Sequence, residues 1–415
     1  MKILIVSAIW PYREHSIRAA NIVIFEMLKA FAEITKNEVG LLVVGNSQTT
    51  KISPTEQHSI DALQGAGIKV LQPLILPDDI KRRSKIKRIF APEIVDRYPQ
   101  CVHRLLIESR VIAWKPEIII VVWSEWLTHA CSDIPIKKFA YYGNPDPKAV
   151  KTQLELHRRS GRMGIFRVAV EKIWNKVFER MHLREMKKYE YLGDVAANDA
   201  TYYARMGHQK SFYIQNIWME SPKISEAKTN TNVIKIIANI GKLDGTANTL
   251  GLEYLGKNLL PILKAKLTDK TYEIHLIGSG KAHPISAKAL EHQEVIWRGF
   301  VDDIDREIRD CDVFLCVNNA TSYKVGHTRY LHAWSLKAPV VAHWDASISM
   351  PEIQNGLNSL LGKDAVEIAD CICRIVRDKD LARKIGDGGY DTYLQYFTAQ
   401  KVAKKICAIV DNPII

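Results

Sequence analysis

Short, almost wholly apolar runs alternate along this chain with longer stretches in which apolar residues recur every three or four positions. The runs at 2–7 (KILIVS), 39–44, 68–71, 117–123 and 138–142 predict strands, and their unbroken apolar character is that of strands covered on both faces. Between the first two, residues 19–32 are apolar at helical spacing, so the chain opens strand, helix, strand. Residues 165–191 predict a long amphipathic helix with the basic stretch 157–162 ahead of it. The segments 194–199 (DVAAND) and 211–216 (SFYIQN) predict two more short strands.

A second alternating series follows, with strands at 233–239, 272–277, 295–297, 313–317 and 339–343. Helical patterns occupy 250–267, 304–309 and 328–336, and two more close the chain at 365–377 and 398–410. The polar, aperiodic ESPKISEAKTNTN at 220–232 is the natural linker. The pattern predicts an α/β chain of two Rossmann-like, doubly wound parallel sheets. One domain is expected at 1–219, the linker at 220–232 and a second domain at 233–396. The last helix, 397–415, is expected either to complete the second half or to cross back to the first.

A chain of 415 residues with 47% hydrophobic and 25% charged residues is an ordinary folded protein, which excludes disordered and fibrous classes. Its net charge of +12 calls for an anionic partner: nucleic acid, a nucleotide-bearing substrate or an anionic membrane surface. Seven scattered cysteines give no disulfide framework, and Cys371 and Cys373 lack partners at zinc-site spacing, as expected for a reducing cytoplasm. The amino terminus reads as a strand rather than a signal peptide. The longest apolar candidate, IIIVVW at 118–123, is far short of a membrane span, so any membrane contact is expected to be peripheral.

In open α/β sheets ligands gather beyond the carboxyl ends of the strands, so the loops there hold the candidate chemistry. In NIGKLDGTANTLG, 239–251, Gly241 permits close backbone approach, Lys242 brings charge, and Thr246, Asn248 and Thr249 bring neutral donors beside a helix start. A plain turn with an Asn or Thr cap would use the same residues. In IGSGKAH, 277–283, Gly278 and Gly280 form part of a dinucleotide fingerprint that is never completed. In WRGFVDD, 297–303, Asp302 or Asp303 reads as an N-cap. TSYKVGHTRYLHAWSLKAPVVAH, 321–343, gathers Lys324, His327, Arg329 and His332 where a loop enters a helix.

The first half offers His15 in IWPYREHSIR as a base, Glu125 between two indoles in WSEW, and Asp146 in the turn-like YYGNPDPK. A carboxylate beyond a strand end could take the proton of an acceptor hydroxyl, which makes Asp146 the better placed of the two acids. Two stretches, IKRRSKIKRIF at 80–90 and the 165–191 helix, combine lysines and arginines with Phe90, Phe166, Trp174 and Phe178. That combination suits contact with anionic lipid.

The succession IGSGK, VIWRGFVDDIDREIRDCDVFLCVN, HTRYLHAWSLKAPVVAH and MPEIQNGLNSLL resembles the carboxy-terminal half of GT-B glycosyltransferases of the group 1, GT4-related class, over about 233–397. The first half matches in general shape, with QNIW at 215–218 where such enzymes carry an asparagine. The resemblance implies a nucleotide-sugar donor on the carboxy-terminal domain and a glycan or lipid-linked acceptor on the amino-terminal one, with chemistry in the cleft between them. It further implies retention of configuration, no metal, no cofactor and no nucleic-acid partner. The donor diphosphate would meet Lys242, the backbone at 246–249, Arg329 and the helix start near Gly326 and Thr328.

Relatives carry two glutamates eight positions apart before the PVV strand, and here Lys324 and His332 stand in their places. Neither can act as a carboxylate. Glu352 is then the candidate to accept bonds from donor hydroxyls. A two-domain nucleotide-sugar epimerase and a glycosyltransferase-shaped subunit without activity are the alternative readings. A nucleic-acid binder would rest on charge alone, since no recognition motif accompanies it.

Overall fold

The computed structural model describes residues 1–13, 19–34, 37–77, 98–143, 145–221, 232–318, 324 and 328–411. They fall into two units, Met1–Gln215 with Ala399–Ile415, and Asn216–Thr398. Expectations that rest on His15, Gly326, His327 or the basic run 80–90 lie outside the described residues.

In the first unit the elements run β1 (Lys2–Ser7), α1 (Ala19–Ile34), β2 (Glu38–Gly45), α2 (Pro54–Gly65), β3 (Lys69–Val70), β4 (Leu74–Ile75), α3 (Cys101–Trp114) and β5 (Ile118–Val122). They continue with α4 (Glu125–Cys131), β6 (Lys137–Tyr142), α5 (Asp146–Arg159), α6 (Ile165–Met186), β7 (Tyr191–Asp194), α7 (Ala197–Arg205) and β8 (Ser211–Tyr213). The sheet is parallel in the order β3-β2-β1-β5-β6-β7-β8, with β4 also on β2. The central strands β1 and β5 are buried on both faces, which is why their sequences do not alternate.

The second unit contains β9 (Ile234–Asn239), α8 (Thr246–Tyr254), a π-helical turn at Leu255–Leu259, α9 (Leu260–Lys266), β10 (Tyr272–Ile277), α10 (Pro284–Ala289) and β11 (Val295–Gly299). There follow α11 (Ile304–Arg309), β12 (Val313–Cys316), α12 (Thr328–Ser335), β13 (Val340–His343), α13 (Ala346–Ser349), β14 (Leu360–Gly362), α14 (Ala365–Arg377) and α15 (Lys379–Tyr396). The strand order β11-β10-β9-β12-β13-β14 is that of a doubly wound nucleotide-binding sheet, so its direction of winding reverses between β9 and β12. The last helix, α16 (Ala399–Asp411), joins the first unit. It packs on α1, and Lys405 Nζ donates to the carbonyl of Tyr213 at 2.8 Å.

Three sequence expectations are corrected. DVAAND is not a strand: Asp194 ends β7 and α7 starts at Ala197, because after the single β-branched Val195 the run Ala-Ala-Asn-Asp has nothing that favours sheet. The helix expected over 165–191 stops at Met186, which frees Tyr191 to open β7. The helix expected over 250–267 starts at Thr246 and is interrupted by the π turn, where a Cβ on Gly256 would overlap the carbonyl of Ala289.

Candidate functional site

At the switch point of the second unit, the loops after β9 and β12 are joined by one side chain. Arg329, the second residue of α12, is buried. Its Nη1 donates to Asn318 Oδ1 and its Nη2 to Asn248 Oδ1, both at 2.6 Å. Asn318 Nδ2 donates in turn to Asn248 Oδ1 at 2.8 Å and to the carbonyl of Ala247 at 3.3 Å, while Asn248 Nδ2 donates to the carbonyl of Lys242 at 2.6 Å. Loss of hydration pulls the Arg329 pKa below its ordinary value, and both acceptors are neutral amides. A guanidinium held this way, beside the starts of α8 and α12, is a cation with no carboxylate partner among the described residues. An anion in that position would supply the missing charge.

The backbone of the loops after β9 and β10 is closely fitted. Gly241 and Gly278 both have positive φ, +97° and +148°, and a Cβ on Gly278 would overlap the carbonyl of Gly241. Leu243 N donates to Ser279 O at 3.0 Å and Gly278 N to Gly299 O at 2.8 Å, so the loops after β9, β10 and β11 are tied in one layer. Thr246 and Thr249 lie in the first turn of α8, and Thr249 is fully buried. Asp303 caps α11 by accepting from Arg306 N at 2.9 Å, as expected of WRGFVDD.

The other basic and acidic candidates divide. Lys242 is exposed, with Asp244 at 3.5 Å. Thr328 opens α12 beside Arg329, and Lys324 is ion-paired with Asp345. His332 is engaged elsewhere: its Nε2 lies 2.5 Å from Asp305 Oδ1 and its ring lies against Trp218, tilted by 38° with centroids 4.9 Å apart. Glu352 follows α13 in a turn, not at a helix start, and its carbonyl accepts from Asn358 Nδ2 at 2.7 Å. Sequence reasoning missed Asn318, an uncharged residue whose only signal is its place just beyond a strand end.

In the first unit, Glu125 and Asp146 are neighbours, since the Asp146 amide donates to Glu125 Oε2. Asp146 is the first residue of α5 rather than part of a free turn. Glu125 begins α4 after a turn in which Trp123 takes φ 53°, a conformation that bulky residues avoid. Its Oε1 lies 2.6 Å from His182 Nδ1. Nearby, Asp194 is fully buried with no hydrogen-bond partner for either carboxylate oxygen among the described residues, and desolvation raises its pKa well above the usual range.

Residues 234–378 match the family described as Glycosyl transferases group 1. No curated protein sequence matches the chain. Among solved structures, HepE of Anabaena in complex with UDP and glucose is similar at 13% identity and TM-score 0.59, covering 99% of this chain and 100% of its own. Sucrose-phosphate synthase of Thermosynechococcus elongatus has 13% identity and TM-score 0.60, covering 99% and 98%. A mutant S. aureus TarM solved with UDP has 10% identity and TM-score 0.61, covering 99% and 100%. Residues 234–378 are therefore a group 1 glycosyltransferase domain, and the fold of the chain is the GT-B fold of these glycosyltransferase structures.

Proposed function

We propose that the second unit binds the diphosphate of a nucleotide-sugar donor at the β9–β12 switch point, and that the sugar is moved to a glycan or lipid-linked acceptor in surface polysaccharide or glycoconjugate synthesis. The observation that carries this reading is Arg329, buried between two amide oxygens where a dianion would complete its charge. The similar HepE and TarM structures contain UDP, which makes UDP the first nucleotide to try. As the nucleoside diphosphate leaves, negative charge grows on its oxygens; Arg329, the starts of α8 and α12 and the mobile charge of Lys242 stabilise that charge without a metal at the phosphates. Retention of configuration follows from the group 1 resemblance. Glu352 is assigned to donor hydroxyls and Asp146 to the acceptor hydroxyl, with the buried Glu125 holding Asp146 through its amide. His332, bonded to Asp305, is assigned to orienting α12 rather than to the ribose.

The direct test is thermal denaturation of the full chain with a panel of nucleotides. At about 100 times its dissociation constant UDP or another nucleoside diphosphate should stabilise the protein by about 2.7 kcal/mol. The matching monophosphate should do far less, and a duplex oligonucleotide nothing. Equal stabilisation by the oligonucleotide, or none by any diphosphate, would remove the donor reading.

We further place the first unit against the inner face of the cell membrane. No described helix is long and apolar enough to cross a bilayer, so the contact would be peripheral. On α6, Phe166 (83% exposed), Ile173 (64%) and Val177 (37%) fall on one face, and Lys172, Lys176 and Arg180 are exposed beside them. An apolar stripe edged with cations suits anionic lipid, because it gains both burial and charge attraction. The double variant Phe166→Ser, Ile173→Ser should lose sedimentation with vesicles containing phosphatidylglycerol while keeping UDP binding. Sedimentation equal to wild type would refute the membrane contact.

A further inference from the structure

We propose that Glu125, His129 and His182 in the first unit form a binding site for a divalent transition-metal ion, zinc by the chemistry of its ligands. One oxygen and two ring nitrogens from these residues all lie within 4.8 Å of one another, and all three side chains are buried. Glu125 and His129 are four apart on α4 and so share a face, while His182 comes from α6, which packs across it. Two imidazoles and one carboxylate are a recognised zinc set that leaves one position for a further oxygen.

Proton positions favour a cation over a hydrogen-bonded cluster. His182 Nδ1 lies 2.6 Å from Glu125 Oε1 and 2.8 Å from His129 Nε2. That nitrogen can carry one proton, so the two contacts cannot both be full hydrogen bonds. A metal ion takes a lone pair from each atom at once. The outer contacts suit this arrangement: His182 Nε2 lies 2.5 Å from Tyr203 Oη and can donate to it, which leaves Nδ1 bare. Tyr203 Oη is bonded onward to Tyr142 Oη, and Glu125 Oε2 receives the Asp146 amide while Oε1 faces the His182 ring.

Ligands about 2.0–2.1 Å from a tetrahedral ion stand roughly 3.3 Å apart, so the close contacts need to open by roughly 0.6 Å. The ion would clamp α4 to α6 and brace the strained Trp123 turn. It belongs to the first unit and is independent of the donor chemistry assigned to the second.

The test uses the untagged full-length chain, stripped with a chelator, dialysed against zinc and freed of excess. Elemental analysis should find about one zinc per chain, with a rise in thermal midpoint of several degrees. Cobalt in place of zinc should give visible bands of a low-symmetry, nitrogen-ligated site. Glu125→Gln keeps the shape of its side chain, and it and His182→Gln should each retain roughly a tenth of the metal or less, with far-UV circular dichroism showing which variants fold. Failure of the stripped wild type to take up zinc would overturn the site, as would uptake by folded Glu125→Gln equal to wild type, which marks surface-bound zinc only. Should neither variant fold, the cobalt spectrum of the wild type decides: nitrogen-ligated bands support the site and their absence overturns it.

Discussion

Arg329→Ala is expected to weaken binding of the donor nucleotide by about 100-fold or more, equivalent to about 2.7 kcal/mol. The loss has two sources. The diphosphate loses its buried cation, and Asn318 Oδ1 loses the guanidinium that satisfies it at 2.6 Å. Asn248 Oδ1 keeps the amide of Asn318, so the damage to the layer itself is smaller, about 1–3 kcal/mol of stability. Arg329→Lys separates the two effects. It restores the charge but not the fork that reaches both asparagines, so it should recover only part of the affinity. Titration calorimetry with UDP measures both variants; affinity within twofold of wild type for Arg329→Ala would take Arg329 out of the donor site.

The largest stability effect is expected at Gly278. A side chain there must displace the Gly241 carbonyl, and φ of +148° is unfavourable for any residue with a Cβ. Because Gly278 N also donates to Gly299 O, the strand ends of β9, β10 and β11 cannot give independently. Gly278→Ala should cost about 4 kcal/mol or more and abolish nucleotide binding with it. Gly356→Ala is the matched control: its φ is +77° but nothing lies within reach of a Cβ, so only the backbone term of about 1–2 kcal/mol remains. Urea denaturation followed by fluorescence compares the two. A similar cost for both would show that the loop layer is free to move.

The sheets were legible in the sequence because strands buried on both faces leave long apolar runs, as at KILIVS and IIIVV. α15 was not, since Gly386, Gly388 and Gly389 lower the helical propensity of its sequence. Each of these glycines instead lets a neighbour press on the helix: the Lys337 carbonyl, the Leu357 carbonyl and the Trp334 ring. At the candidate donor site, Arg329 stood out by its charge at a loop-to-helix junction, whereas Asn318 offered no such mark. His129 and His182 were invisible for a different reason. They lie 53 positions apart on separate helices, and only the fold brings their rings within 2.8 Å.

The return of α16 to the first unit has a consequence for synthesis. Ala399, Val402, Ala403, Ile406 and Val410 are buried, and the helix covers α1 near the opposite end of the chain. A nascent chain can therefore assemble the whole second unit while the first still lacks one of its packed layers. The domain begun first is the one finished last, and until then the apolar flank of α1 is open to solvent, to chaperones or to a neighbouring nascent chain.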